Sequence, residues 1–169
     1  MAERRTLSFA TLDRVMPDVD RLLEGHETVG NWSLGQICNH LAGAIAGSVE
    51  GFPFHAPWIF RKTLGAVSRR RVFKTGRMAT GIPLPARYSP KPDLDPRAEA
   101  EALRATLRFY AGFQEPLALH PVFGRLTRDE WNQLHAIHCA HHLSFVLPRP
   151  SVRLDQAKEA GLDVDPGVV

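Results

Sequence analysis

Apolar residues recur along this chain at helical rather than strand spacing. In LSFATLDRVMPDVDRLLEG, residues 7–25, Leu12, Val15, Val19, Leu22 and Leu23 fall on one helical face. Pro17 either kinks that helix or marks its true start, and Gly25 is a stop signal. A second helix opens at WSLGQI, where Ser33 and Gln36 form a capping box and Trp32 with Ile37 a hydrophobic staple, and it runs to about Gly51. The segment APWIFRKTLGAVSRRRVFKTG reads as a further helix with Pro57 in its first turn. It leads into RMATGIPLPARYSPKPDLDP, a Pro- and Gly-rich surface crossing.

The third long helix starts with Asp95 as cap and Pro96 at its first position, carries an apolar stripe of Ala98, Ala102, Leu103, Leu107 and Tyr110, and is closed by Pro116. After the turn LALHPVFGRL, the fourth repeats the grammar of the second. Thr127 caps, Glu130 completes the box, Leu126 and Trp131 staple, and the helix ends before Pro148. No segment alternates as a strand should. The expected architecture is all-α: a four-helix bundle over residues 5–148, with a long crossover (52–94) between the second and third long helices. Residues 149–169 form a peripheral C-terminal tail.

A length of 169 residues, 44% hydrophobic and 23% charged, suits one domain with a sizeable core. The net charge of +3 is mildly basic, but nothing resembles a nucleic-acid recognition motif, and the one dense run, SRRR, reads as a solvated helix face rather than a contact for an acidic ligand or membrane surface. Cys38 and Cys139 form no CxxC pair, and no disulfide framework is expected. The N-terminus lacks the apolar region of a secretion signal, and no apolar run reaches the length of a membrane span. A cytoplasmic protein with no nucleic-acid or membrane partner is the expectation.

Four of the eight histidines, His135, His138, His141 and His142, crowd into WNQLHAIHCAHHLSFVLP. At about 100° per residue, Trp131, Leu134, His138, His142 and Phe145 share one arc of the wheel, with His135 and His141 on its two borders. His138 and His142 stand one turn apart on the stripe that faces the core. Two buried imidazoles need partners, either as hydrogen-bonded core residues or as ligands of one ion. An ion needs a third ligand, and His40 in CNHLAG is the best candidate, since its helix neighbours are small enough to leave a cavity. Cys38 points nearly opposite His40, and neither ExxH nor HExxH is present. His135 is the candidate catalytic residue, a proton carrier or otherwise a core-border histidine. His120 precedes the cap Thr127, and His138 lies about 16 Å beyond that cap along the helix axis, so His120 is a turn residue unless the loop folds back. His141 packs at a helix interface, His26 and His55 are surface residues, and Phe54, Trp58, Phe60 and Met78 either line a substrate mouth or simply pack.

NWSLGQICNHLA, followed about a hundred residues later by HPVFGRLTRDEWNQLHAIHCAHHLSF, resembles the DinB/YfiT-like superfamily of metalloenzymes, and within it a bacterial branch of uncharacterised function. The resemblance covers roughly residues 5–148. It implies an up-down-down-up four-helix bundle, with one histidine on the second helix and an HxxHH run on the fourth whose first and last members bind a divalent metal. Carried over residue by residue, the ligands are His40, His138 and His142. Many relatives follow the last histidine with Gly-Gln, where this chain has Leu143 and Ser144. The resemblance further implies a homodimer and one of two activities on a small-molecule substrate: metal-dependent hydrolysis, or transfer of a low-molecular-weight thiol to an electrophile. Zinc and nickel both suit imidazole ligands. The alternative is a bundle that binds a metal or small ligand without catalysis.

Overall fold

In the computed structural model, which describes residues 3–80 and 90–149, the chain is mostly helical, with six helices and one two-stranded sheet among the described residues. A 3-10 turn (Leu12–Arg14) leads into α1 (Val15–Glu24), β1 (His26–Thr28) and α2 (Leu34–Glu50). Then follow α3 (Trp58–Lys62), α4 (Leu64–Thr75), α5 (Pro96–Gly112), α6 (Arg128–Leu143) and β2 (Val146–Pro148). No described helix is long and apolar enough to cross a membrane.

Capping chemistry sets the helix starts. Ser33 Oγ accepts from Gln36 N at 3.2 Å while the Gln36 side chain accepts from Ser33 N at 2.9 Å, opening α2. Thr127 and Glu130 do the same for α6, at 3.2 and 2.9 Å. The Asp95 carboxylate accepts from Arg97 N and Ala98 N, and Pro96 holds the first position of α5. Pro17 lies within the first turn of α1, where its missing N–H costs nothing, so it marks the start and does not kink the helix.

Four expectations need correction. The segment read as one helix from Ala56 is two, broken at Thr63, whose φ of −109° and ψ of −95° lie outside the helical region. On α5 the buried stripe is Ala100, Leu103 and Tyr110, while Ala98 and Ala102 are exposed. Alanine alone does not reveal which face is buried. A short antiparallel sheet is present where none was expected: His26 pairs with Pro148, Glu27 with Leu147 and Thr28 with Val146. Strands of three residues are too short to show a two-residue period. His26 is half-buried rather than a free surface residue, and its Nδ1–H donates to the Leu22 carbonyl at 2.8 Å. The tail beyond Arg149 and the Gly81–Ser89 part of the crossover lie outside the described residues.

Helix α2 packs along α5 and also against α6, and α1 packs on both α5 and α6. Leu22, Leu34, Leu41, Leu103 and Leu143 are fully buried between them, each contributing about 1.5–3 kcal/mol by leaving water. Arg5 ties the outer segment to two helices, donating to Asp18 at 2.8 Å and to the Leu143 carbonyl at the end of α6. Arg128 donates to the carbonyls of Tyr110 and Phe113 and so satisfies the C-terminus of α5. Cys38 and Cys139 are buried and unbridged.

One close approach is decisive for how α2 meets the segment before α5. A Cβ built on Gly35 would stand 2.3 Å from the Leu94 carbonyl oxygen, whereas one on Gly43 would meet nothing within 4 Å. Gly35→Ala should therefore destabilise the protein by about 1–3 kcal/mol through forced backbone displacement. Gly43→Ala should be neutral or stabilise by about 0.5–1 kcal/mol. Denaturant titration of the two variants checks this. Equal midpoints would show that α2 does not abut Leu94.

Candidate metal centre

Helix geometry brings three imidazoles together. His40 projects from α2, and His138 and His142 stand one turn apart on α6. His138 Nε2 lies 3.1 Å from His40 Nε2 and 3.0 Å from His142 Nε2. All three ligand atoms fall within 4.8 Å of one another, and all three residues are half-buried. Trp32 stacks on His142 at 5.3 Å between ring centroids and leans on His40 at 5.0 Å. Its expected role was a staple before α2. Its ring contacts with the imidazoles were invisible in the sequence, because they depend on the α2–α6 pairing.

The cluster fits a cation. A neutral imidazole nitrogen carries either one proton or one lone pair, so His138 Nε2 completes a hydrogen bond with only one of its two neighbours. A shared ion removes the mismatch at the other. Two nitrogens about 2.0–2.1 Å from one ion stand about 2.8–3.4 Å apart for angles between roughly 90° and 110°. Both observed separations lie inside that window. Ligands must also be unprotonated, and burial provides for that. It lowers the pKa of His40 to about 4 and of His142 to about 3, with neighbouring imidazoles adding to the effect. His138 is held well below the ordinary value by the same causes. The cysteines take no part: burial pushes both thiols up to about 12.

A cavity of about 840 Å³ opens beside the cluster. Its walls include Val29, Trp32 and Phe145 near the sheet, Leu134 and Trp131 on α6, and Phe52, Phe54 and Met78 from the crossover. Among the described residues that line it, none is Asp, Glu, Lys or Arg. Trp58 and Phe60, grouped with Phe54 and Met78 in the sequence, do not line this cavity. Gly47 lets the Phe52 ring lie against α2, since a Cβ there would come within 2.6 Å of it. Phe52 then stacks parallel to Trp131 at 6.2 Å.

His135 is 2% exposed and faces the same cavity. Its Nε2 lies 3.0 Å from Ser48 Oγ, and that hydroxyl donates to the Ile45 carbonyl at 2.6 Å. Ser48 has spent its proton, so it accepts from His135 Nε2–H and leaves Nδ1 as the unprotonated nitrogen. Tyr110 meets the His135 ring edge-on and Trp131 stacks on it. Ser48 had no motif around it and was not singled out in the sequence. His120 is the turn residue expected: its Nδ1 accepts from Val122 N at 3.1 Å and Phe123 N at 2.8 Å. The loop also folds back far enough for His120 to line the cavity, though not to join the triad. His141 packs edge-on against His142 and Phe145 and stays outside the triad. His55 is exposed.

The molecule is thus a helical protein with a three-histidine candidate metal site opening on an apolar cavity. The chain belongs to the family described as "Protein of unknown function (DUF1569)", which it matches over residues 1–149. No curated protein and no solved structure matches it.

The buried imidazoles make stability depend on pH. Burial lowers the pKa of His135 to about 3 and of His120 to about 4, while an unfolded chain titrates them near 6.5. Above about pH 6.5 both states are neutral and stability is complete. As pH falls from there towards 3–4, the unfolded state takes up protons that the folded state refuses, and stability drops by up to about 1.4 kcal/mol per pH unit for each such histidine. Metal-free protein should therefore melt progressively lower between pH 7 and pH 5 in thermal unfolding. A midpoint that does not move would mean these rings titrate normally.

Proposed function

We propose that this protein is a divalent-metal-dependent enzyme of the DinB/YfiT-like type, built on a four-helix bundle of α1, α2, α5 and α6. His40, His138 and His142 are its metal ligands, and the reaction is hydrolysis or transfer of a low-molecular-weight thiol to an electrophile. The observation that carries this reading is the convergence of three Nε2 atoms beside an open cavity. Three neutral ligands suit a catalytic ion that keeps positions free for other molecules. When bound, the ion supplies undiminished positive charge, which lowers the pKa of a nucleophile beside it. Zinc and nickel are the ions that match the donor set best.

The chain's own residues do the rest. Phe52, Phe54, Met78 and Phe145 give the cavity apolar walls that limit water and hold a substrate's carbon skeleton. No Asp, Glu, Lys or Arg lines the cavity among the described residues, which leaves the imidazoles outside the cluster, His120, His135 and His141, as the side chains able to take a proton from the nucleophile. His141 packs edge-on against His142 and Phe145. His120 Nδ1 is occupied by two backbone N–H groups. His135, oriented by Ser48 with Nδ1 unprotonated, is the group we assign to that role. Burial makes it a weak base at rest, with its pKa lowered to about 3, so it takes the proton only when negative charge on the substrate or nucleophile stands beside it.

Metal-free protein should take up about one zinc or nickel ion per chain, measured by calorimetry and elemental analysis. His40→Ala, His138→Ala and His142→Ala should each abolish uptake, and His141→Ala should spare it. Equal losses at positions 141 and 142 would reassign the ligands. For activity, the loaded protein should be screened against thiol-plus-electrophile pairs and against simple esters and amides, with His138→Ala as control. Turnover that depends on His138 is expected, and His135→Gln should lower it about 10²-fold or more without loss of metal. Turnover unchanged in His138→Ala would rule out the metal-dependent mechanism. Tight metal binding with no turnover on any pair would favour the non-catalytic alternative.

A further inference from the structure

Two residues that line the cavity, Trp131 and His120, each hold a hydrogen-bond donor with no partner among the described residues. Trp131 is 1% exposed, and its Nε1–H is the one buried side-chain polar atom without a partner among the described residues. A buried N–H left unpaired costs about 1–3 kcal/mol, and core aromatics with a polar edge normally find a partner. Beside it stands His120, with ring centroids 5.4 Å apart. Its Nδ1 accepts from Val122 N and Phe123 N, so that nitrogen carries no proton. The neutral ring must then hold its proton on Nε2, which makes His120 a fixed donor. No hydrogen bond uses that proton among the described residues, and both residues line the cavity. The rings cannot swing away. Trp131 is held between Phe52 and His135, and His120 is stacked on Phe123 at 4.4 Å.

We propose that Trp131 Nε1–H and His120 Nε2–H form an oxygen-acceptor subsite, which binds the carbonyl or carboxylate oxygen of an otherwise apolar ligand. The chemistry follows from the surroundings. Two adjacent donors select a group that accepts. The absence of Lys and Arg from the described lining makes the subsite a dipolar one, able to take a neutral carbonyl as well as an acid. Phe52 and Met78 lie along the same cavity and give an alkyl or aryl group an apolar place to lie. This inference rests on the reading of the cavity as a substrate pocket and extends it by naming the substrate class.

The test uses the full chain, 15N-labelled, in metal-free and zinc-loaded forms. The Trp131 indole N–H resonance is identified by its disappearance in Trp131→Phe. Should that variant fail to fold, Trp32→Phe and Trp58→Phe identify it by elimination. Three probes with one alkyl chain are titrated: hexanoate, hexanamide and hexylammonium. Hexanoate and hexanamide should move the Trp131 resonance downfield and saturably, and hexylammonium should not. Trp131→Phe and His120→Asn should each weaken the acceptor probes roughly three- to tenfold, the loss of one neutral hydrogen bond. Asparagine at 120 keeps an acceptor for the two backbone N–H groups and loses the distal donor. Tighter hexanoate binding assigns the subsite to acids, and tighter hexanamide binding to neutral carbonyls. The subsite is overturned if neither acceptor probe moves that resonance in either form, if hexylammonium moves it equally, or if both variants bind like the parent. Zinc uptake is read on the same samples. Its failure beside a responsive Trp131 would remove the metal reading and leave the subsite standing.

Discussion

Burying several imidazoles at the face shared by α2 and α6 is the constraint to which the rest of the structure answers. Each ring taken out of water must be neutral, because a charged one would forfeit its hydration. Neutral rings need partners matched donor to acceptor, and the chain supplies one at a single nitrogen of each of two rings: Ser48 for His135 Nε2, and two backbone N–H groups for His120 Nδ1. It supplies no match for one of the two His138 contacts. The buried imidazoles therefore divide into two that the protein fixes through one nitrogen each and a group of three that a cation would complete. The thiols fall on neither side. Cys38 and Cys139 are buried and protonated, packed as small hydrophobes, so the site's chemistry is left to nitrogen alone.

Holding those rings in place is the work of elements that carry no chemistry. Fully buried leucines set the separation of α1, α2, α5 and α6. The β1–β2 pairing binds the chain leaving α1 to the chain leaving α6, and the Val29 N–H donates to the Phe145 carbonyl at 2.9 Å. That stitch places Val29 and Phe145 at one edge of the cavity. At the other edge, Phe52 lies on Trp131 because Gly47 leaves room for it. Aromatic packing thus transmits the position of the crossover to α6, one helical turn before His135.

The parts legible in the sequence were those encoded by local rules. Both capping boxes and the Asp95–Pro96 start were readable because a helix terminus is satisfied by residues within one turn of it. The pair His138 and His142 was readable because one helix face is a matter of counting. His40 was a weaker inference, since nothing in the wheel of one helix says which helix will face it. The rest depended on tertiary placement. Ser48 stands in a run of small residues and gains meaning only when His135 comes within 3.0 Å. The sheet was hidden by its shortness, and the α3–α4 break by a backbone angle at Thr63 that composition does not announce. His120 was right as a turn residue and incomplete as one: distance along the helix axis did not show that the loop brings the ring back beside Trp131.

The distribution of charge in the cavity gives it a direction. Its described walls hold no formal charge, so an ion on the three neutral ligands would be the dominant source of field within it. Apolar walls weaken screening, and the field would therefore reach further than in water. A group carrying or developing negative charge is favoured at the cluster end. Away from the cluster, Trp131 and His120 offer the dipoles of two N–H bonds, which hold an oxygen without demanding that it be charged. A molecule with an electron-rich nucleophile at one end and a carbonyl at the other, or two molecules dividing those parts between them, would lie along the cavity in one orientation. The apolar side chains between the two ends set how long that molecule can be. Specificity in such a site comes from length and polarity order rather than from ion pairing, and that is consistent with a cavity from which the described Asp, Glu, Lys and Arg residues are all absent.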